Sequence, residues 1–188
     1  VFIKPQIHPL QVTTEITVQN ISDGITLQQE IRKKGEGAYS LLGQKPVKQT
    51  NVQTVFPVQE IRLWEPENPY LYEIRTSLWK NGEMIDARVD ITGFREAGFR
   101  KDGFYLNGKK LRLRGLNRHQ SYPYVGYAAP ASMQIFDADI LKKELGVNAV
   151  RTSHYPQSQD FIRRCDEIGL LVFTEFPGWQ HIGDEEWK

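Results

Sequence analysis

The sequence predicts two consecutive folds, an all-β antiparallel sandwich over residues 1–95 and an α/β segment over residues 96–188. Up to about Arg95, apolar and polar residues alternate with a period of two and without helices between the runs, as half-buried strands do. After Gly93 the apolar residues take helical spacing between short apolar runs. The order becomes β-α-β-α-β, which implies parallel strands joined by right-handed crossovers.

The elements follow from local signals. Val1 to Lys4 already reads as strand. Thr13 to Asn20 and Ile25 to Ile31 alternate, with Asp23-Gly24 as a tight-turn signal between them. A further run covers Val52 to Val58. Tyr70 to Trp79 meets Asn81-Gly82 and continues as Glu83 to Ile91, a strong hairpin signal. Strands at this spacing suggest a two-sheet sandwich of immunoglobulin size. Next, Phe104–Leu106 and Lys110–Arg114 flank Asn107-Gly108, a second hairpin signal, and Leu111 to Gly115 leads into a loop rich in Tyr, Pro and Gly. Ser132 is placed to cap a helix with Phe136, Ile140, Leu141 and Leu145 on its apolar face, ended by Gly146. Ala149–Thr152 is a strand. Ser158 opens a second helix with Phe161, Ile162, Cys165 and Ile168 inward, ended by Gly169, and Leu170–Thr174 is a third strand. Three strands of a larger barrel or sheet result.

Composition narrows the function. The chain has 188 residues, enough for one large domain or two small ones, with 39% hydrophobic and 25% charged residues. Its net charge of +1 comes from 24 basic and 23 acidic residues, spread evenly over both halves, so charge gives no case for nucleic acid or a membrane surface. Cys165 is the only cysteine, which excludes an intrachain disulfide, and its place on an apolar stripe predicts a buried thiol. No hydrophobic stretch approaches the ~18 residues of a membrane span. The chain opens on Val-Phe-Ile-Lys without Met and stops just after an apparent barrel-type strand, which predicts an internal piece of a longer protein.

Three polar clusters fall at the carboxyl ends of the three proposed parallel strands, where α/β folds build their ligand sites. They are Asn117-Arg118-His119 followed by Tyr122, Tyr124 and Tyr127; Arg151, Ser153, His154 and Tyr155; and Glu175 with Trp179 and His181. Zinc would need three close ligands, and neither HxH nor HExxH spacing supports it. A Ser153-His154 nucleophilic pair is disfavoured, because neighbours on a strand point to opposite faces. No Gly-rich phosphate loop is present. What remains is polar recognition by Arg and His beside flat Tyr and Trp platforms, which suits a sugar with hydroxyls at its edge and C–H groups on its faces.

The segment Asn148-Ala149-Val150-Arg151-Thr152-Ser153-His154-Tyr155-Pro156, then Phe161-Ile162, Asp166 and Gly169-Leu170-Leu171-Val172-Phe173, resembles the signature of glycoside hydrolase family 2. Leu63-Trp64-Glu65-Pro66-Glu67-Asn68-Pro69-Tyr70-Leu71-Tyr72, Gly93-Phe94-Arg95, Leu106-Asn107-Gly108-Lys109 and Arg114-Gly115-Leu116-Asn117-Arg118-His119 extend the resemblance over essentially the whole chain. It implies an immunoglobulin-like β-sandwich followed by the first βα units of a (β/α)8 TIM barrel, with a jelly-roll domain upstream. It also implies a retaining β-glycosidase, foremost a β-galactosidase, whose two catalytic glutamates lie on later strands. One of these follows an Asn in the family, and no Asn-Glu pair occurs in this chain. The fragment is therefore expected to be inactive by itself.

The same resemblance casts His119 and His154 as binders of sugar hydroxyls and Arg151 as the group that orients the nucleophilic carboxylate and lowers its pKa. Glu175 sits at the third strand end, with pairing to a neighbouring Arg as its other reading. Trp179 stands where some β-galactosidases carry a magnesium-binding Glu; an indole cannot ligate a hard cation, so neither a metal nor a cofactor is expected, and Trp179 is read as stacking on a sugar or walling the pocket. The expected partner is a carbohydrate, not nucleic acid or a membrane, with homo-oligomerisation of the fragment through its open first or third barrel strand. β-Glucuronidase is the alternative within the family, and a non-catalytic carbohydrate-binding module the alternative outside it.

Overall fold

The computed structural model describes residues 1–177, 181 and 183–186. They divide into two compact units. The first holds residues 1–64, 70–99 and 105–109; the second holds residues 65–69, 100–104 and 110 onward.

The first unit is built from β1 (Phe2–Ile7), β2 (Leu10–Thr17), β3 (Thr26–Lys33), β4 (Ser40–Pro46), β5 (Asn51–Pro57), β6 (Tyr72–Lys80) and β7 (Glu83–Thr92). A three-stranded sheet of order β1-β2-β5 faces a four-stranded sheet of order β4-β3-β6-β7. Val12, Ile31, Val58, Tyr72, Ile74 and Phe94 fill one end of the space between them, and Ile16, Val18, Ile25, Leu27, Val47 and Val52 the other. The Asn81-Gly82 hairpin forms as expected, with φ of 52° and 83° at its two residues, a conformation that Asn and Gly tolerate best. Asp23-Gly24 connects strands of different sheets. Of these seven strands, β4 is absent from the sequence reading: Leu41 is exposed and its neighbours show no inward alternation, so nothing in Ser40–Pro46 marks a core face.

Two features of this unit are unexpected. Gln29 is fully buried on β3, where its Nε2 donates to Thr14 Oγ1 (3.0 Å) and Thr76 Oγ1 (3.1 Å) and its Oε1 accepts from Thr54 Oγ1 (2.7 Å). One amide thus joins β2 and β5 of one sheet to β3 and β6 of the other. Strand β7, at the end of its sheet, reverses the usual faces. Asp86, Arg88 and Asp90 pair with Leu78, Thr76 and Ile74 on the core side, and Ala87, Val89 and Ile91 pair with Ser77, Arg75 and Glu73 on the outer side.

A small meander of β8 (Ala97–Arg100), β9 (Gly103–Leu106) and β10 (Lys109–Lys110) follows, turning at Asn107-Gly108 with φ of 50° and 76°. The second unit then carries β11 (Gly115–Arg118), α1 (Ala131–Asp139), a π-helical turn over Ile140–Glu144, β12 (Ala149–Thr152), α2 (Gln159–Ile168) and β13 (Leu171–Phe173). β12 lies between β11 and β13, parallel to both, with Asn117 beside Arg151 and Arg151 beside Phe173. Ala138, Leu141, Val150, Phe161, Cys165 and Leu170 form the core beneath the helices.

Three expectations for this unit change. The first parallel strand is Gly115–Arg118, later than the apolar run Leu111 to Gly115 suggested. The Asn148 side chain takes up the backbone of that earlier run, accepting from Arg114 N–H and donating to Arg112 C=O, so those groups do not join the sheet. At Gly115 the backbone comes so close that a Cβ would collide with the Ala149 carbonyl oxygen. Second, the N-cap of α1 is Pro130, not Ser132, with φ −67° and ψ 162°, and the Pro130 carbonyl accepts from Met133 N–H and Gln134 N–H. Third, Phe136 and Leu145 are 61% and 56% exposed, while Gln134, Ala138 and Leu141 are buried. The Gln134 amide is held by an arginine below the helix, and the π turn, closed by Leu145 N–H to Ile140 C=O, carries Leu145 off the inward face. Helix α2 agrees with the sequence: Ser158 Oγ caps Asp160 N–H, and Gly169 ends the helix at φ 77°.

Candidate functional site

The site residues of the second unit lie on or just beyond adjacent parallel strands, because β12 sits between β11 and β13. His119 directly follows β11, Arg151 lies within β12, His154 follows β12, and Glu175 lies just past β13. The imidazoles of His119 and His154 meet edge to face, with centroids 5.6 Å apart and planes at 82°. The Arg151 Nε donates to Glu175 Oε1 at 2.5 Å. Thr152 Oγ1 fixes the neighbouring backbone, accepting from Glu175 N–H at 3.1 Å and donating to Phe173 C=O at 3.3 Å. Glu175 thus has an arginine partner on the neighbouring strand. Trp179 lies outside the described residues.

Ser153 and His154 do not occupy successive strand positions. The strand ends at Thr152, the chain turns, and the Ser153-His154 peptide bond is cis. Ser153 is buried, and its Oγ has no hydrogen-bond partner among the described residues.

Aromatic rings complete the surroundings of His119. Tyr155 lies 5.9 Å from it between centroids, with its hydroxyl 3.4 Å from Nδ1, and Tyr127 meets Tyr155 edge-on at 5.6 Å. Burial, and then the neighbouring Tyr127 hydroxyl, push the Tyr155 phenol above its ordinary range, so it keeps its proton at neutral pH. Tyr124 is fully exposed at the tip of a tight loop closed by the Tyr122–Gly126 bridge.

Below the site lies a buried arginine, Arg118. Its Nε and Nη2 donate to Asp137 Oδ2, its Nη1 to Gln157 Oε1 (2.6 Å), and its Nη2 also to Gln134 Oε1 (2.7 Å) and the Tyr122 hydroxyl (2.8 Å). Its guanidinium lies 3.9 Å from the Phe161 ring centroid. Tyr122 donates to Asp137, and burial together with that bond raises its phenol pKa. A buried charge is tolerable only when paired and saturated with hydrogen bonds, and Arg118 is both. Sequence reasoning found Arg118 and Tyr122 but not Gln134, Asp137, Gln120 or Gln157. Polar residues such as these three glutamines and Asp137, set inside helices and loops, carry no periodic signal, and the four acquire a role only once the strand ends converge.

Polar side chains crown the parallel strands at the carboxyl edge, where α/β sheets place their ligand sites, with His119 against His154 and Arg151 paired to Glu175. Residues 1–95 match the family described as Glycosyl hydrolases family 2, and residues 98–186 match Glycosyl hydrolases family 2, TIM barrel domain. The chain belongs to glycosyl hydrolase family 2. A protein of Thermoanaerobacter pseudethanolicus named Beta-galactosidase is 48% identical over 99% of this chain and 25% of its own length. One of Thermoanaerobacterium thermosulfurigenes, also named Beta-galactosidase, is 61% identical over 70% of this chain and 18% of its own. The crystal structure of an FMN-binding beta-glucuronidase from Facaelibacterium prausnitzii L2-6 matches with a TM-score of 0.78 at 33% identity, over 93% of this chain and 27% of that one. The chain spans about a quarter or less of the length of the two beta-galactosidases.

Proposed function

We propose that the chain is a section of a retaining β-galactosidase, with an immunoglobulin-like sandwich over residues 1–95 and the opening βα units of a (β/α)8 barrel over residues 96–188. The observation that carries this reading is the meeting of His119 and His154 at 5.6 Å beside the strand that bears Arg151. The two close relatives named for that activity support the choice of sugar. In such an enzyme two carboxyl groups about 5–5.5 Å apart act as acid/base and nucleophile. This chain supplies the sugar-binding floor. His119 and His154 hydrogen-bond ring hydroxyls, and those bonds strengthen as the oxocarbenium-like state forms. Arg151 commits Nε to Glu175, while its Nη1 and Nη2 carry no bond among the described residues and are the donors that hold a nucleophilic carboxylate ionised. Trp179 is assigned to the same sugar site.

Without the two catalytic glutamates the isolated chain binds sugar weakly and hydrolyses nothing. Its three-stranded sheet ends in β11 and β13, through which it self-associates. Sedimentation at high concentration tests this, and a purely monomeric profile rejects it. The functional reading is tested by assaying the longer protein on nitrophenyl β-galactoside and nitrophenyl β-glucuronide. Preference for the galactoside supports it. Preference for the glucuronide reassigns the sugar, and inertness towards both leaves a binding module.

A further inference from the structure

The backbone on either side of His119 is tied to the loop that begins one residue after His154. Before it, the Arg118 carbonyl accepts from Gln157 Nε2 at 2.6 Å, while Gln157 Oε1 accepts from Arg118 Nη1 at the same distance. After it, Gln120 N–H donates to the Tyr155 hydroxyl at 3.1 Å, and Gln120 Oε1 accepts from Ser158 N–H at 2.8 Å. We infer that Gln157 and Gln120 are positioning residues, a clamp across two loops that sets the separation and mutual angle of the His119 and His154 imidazoles; this rests on the sugar-binding reading of those histidines.

The chemistry of the clamp is specific to an amide. Gln157 is buried and must donate to a carbonyl and accept from a guanidinium at once, which only a side chain with both groups at that reach can do. A carboxylate there would face the Arg118 carbonyl with no proton to offer, and a thioether would leave that carbonyl and Nη1 without their partner. The guanidinium is anchored from its other side by Asp137, Gln134 and Tyr122, so the clamp closes against a fixed post. None of its bonds belongs to the apolar cluster under the helices, which is filled by Ala138, Leu141, Val150, Phe161, Cys165 and Leu170.

The test is a double-mutant cycle in the longer enzyme, with nitrophenyl β-galactoside as substrate and Gln157→Met and Gln120→Met as separate variants. Misplacing a binding group by about an ångström costs on the order of 100-fold. We expect kcat/KM to fall by about 10- to 100-fold for Gln157→Met. In a His119→Asn background the same substitution is expected to change kcat/KM by less than about twofold, because a residue that acts through His119 has nothing left to position. Equal losses in both backgrounds, or no loss in the otherwise unaltered enzyme, overturn the inference. Should Gln157→Met not fold, Gln120→Met, whose partner bonds lie nearer the surface, decides by the same comparison. An unaltered enzyme inert on both nitrophenyl substrates removes the functional reading and this inference with it. An active enzyme indifferent to both substitutions overturns the inference alone.

Discussion

Arg151 reaches Glu175 with its Nε at 2.5 Å, joining the ends of two neighbouring parallel strands, yet the arginine side chain is 48% exposed. An ion pair that open to solvent contributes at most about 1 kcal/mol to stability. Removing a preorganised charge-stabilising donor from a reaction site, by contrast, costs about 100-fold or more in kcat. Arg151→Met is therefore expected to shift the unfolding free energy by less than about 1 kcal/mol while lowering kcat of the longer enzyme about 100-fold. Urea titration beside steady-state kinetics measures both. A large stability loss with unchanged turnover would make the pair a structural one.

In the sandwich, Gln29→Leu should destabilise the chain although it adds apolar volume to the core. The substitution strands the hydroxyls of Thr14, Thr54 and Thr76, each of which now bonds to the Gln29 amide. Burying polar groups without partners costs about 1–3 kcal/mol apiece, partly relieved where two threonines find each other. We expect a loss of about 2 kcal/mol or more in urea unfolding. A neutral result would mean that the threonines re-pair.

Acid should weaken the same unit through Glu30. Hydrogen bonding to the Arg75 guanidinium, at 2.7 and 2.8 Å, holds the Glu30 carboxyl below its usual range against the opposing effect of burial. The folded pKa lies below the unfolded one, so the pair's contribution is complete above the unfolded value of about 4.3 and is lost as pH falls through the lower folded value. Glu30→Gln should therefore flatten the decline of stability with falling pH below about 4.3. Unfolding midpoints at successive pH values give the slope, and identical slopes for both proteins would exclude the pair as a source.

Cys165 is fully buried, and burial pushes its thiol up to about 12. The thiolate is the reactive form. In the folded chain the thiol is expected to resist iodoacetamide at pH 8, and to react fully once urea exposes it. Alkylation at equal rates in both states would place the sulfur at the surface.

Most of the sandwich was legible because its strands alternate and two of its turns are marked by Asp23-Gly24 and Asn81-Gly82. The Ser158 cap and Gly169 stop fixed α2 for the same reason, since each is a local signal with a local cause. What escaped depends on distant partners. β4 shows no face of its own. The rotation of α1 is set by Gln134 reaching Arg118, not by the apolar spacing of Phe136 and Leu145, both of which are exposed. At the site, His119, Arg151, His154 and Glu175 could be named from the sequence because strand ends are where α/β folds place polar groups. That Gln120 and Gln157 stitch the two histidine loops together could not, as it emerges only from the pairing of β11 with β12.

The inverted faces of β7 have a consequence for how this protein behaves in concentrated solution. Any foreign strand extending the sheet at that margin would have to settle beside the ionic row of Asp86, Arg88 and Asp90, and strip water from it. Charges turned inward at a sheet margin make a poor template for fibre growth. The ten-residue strand, the longest in the sandwich, thereby carries inward charges that hinder its pairing with strangers.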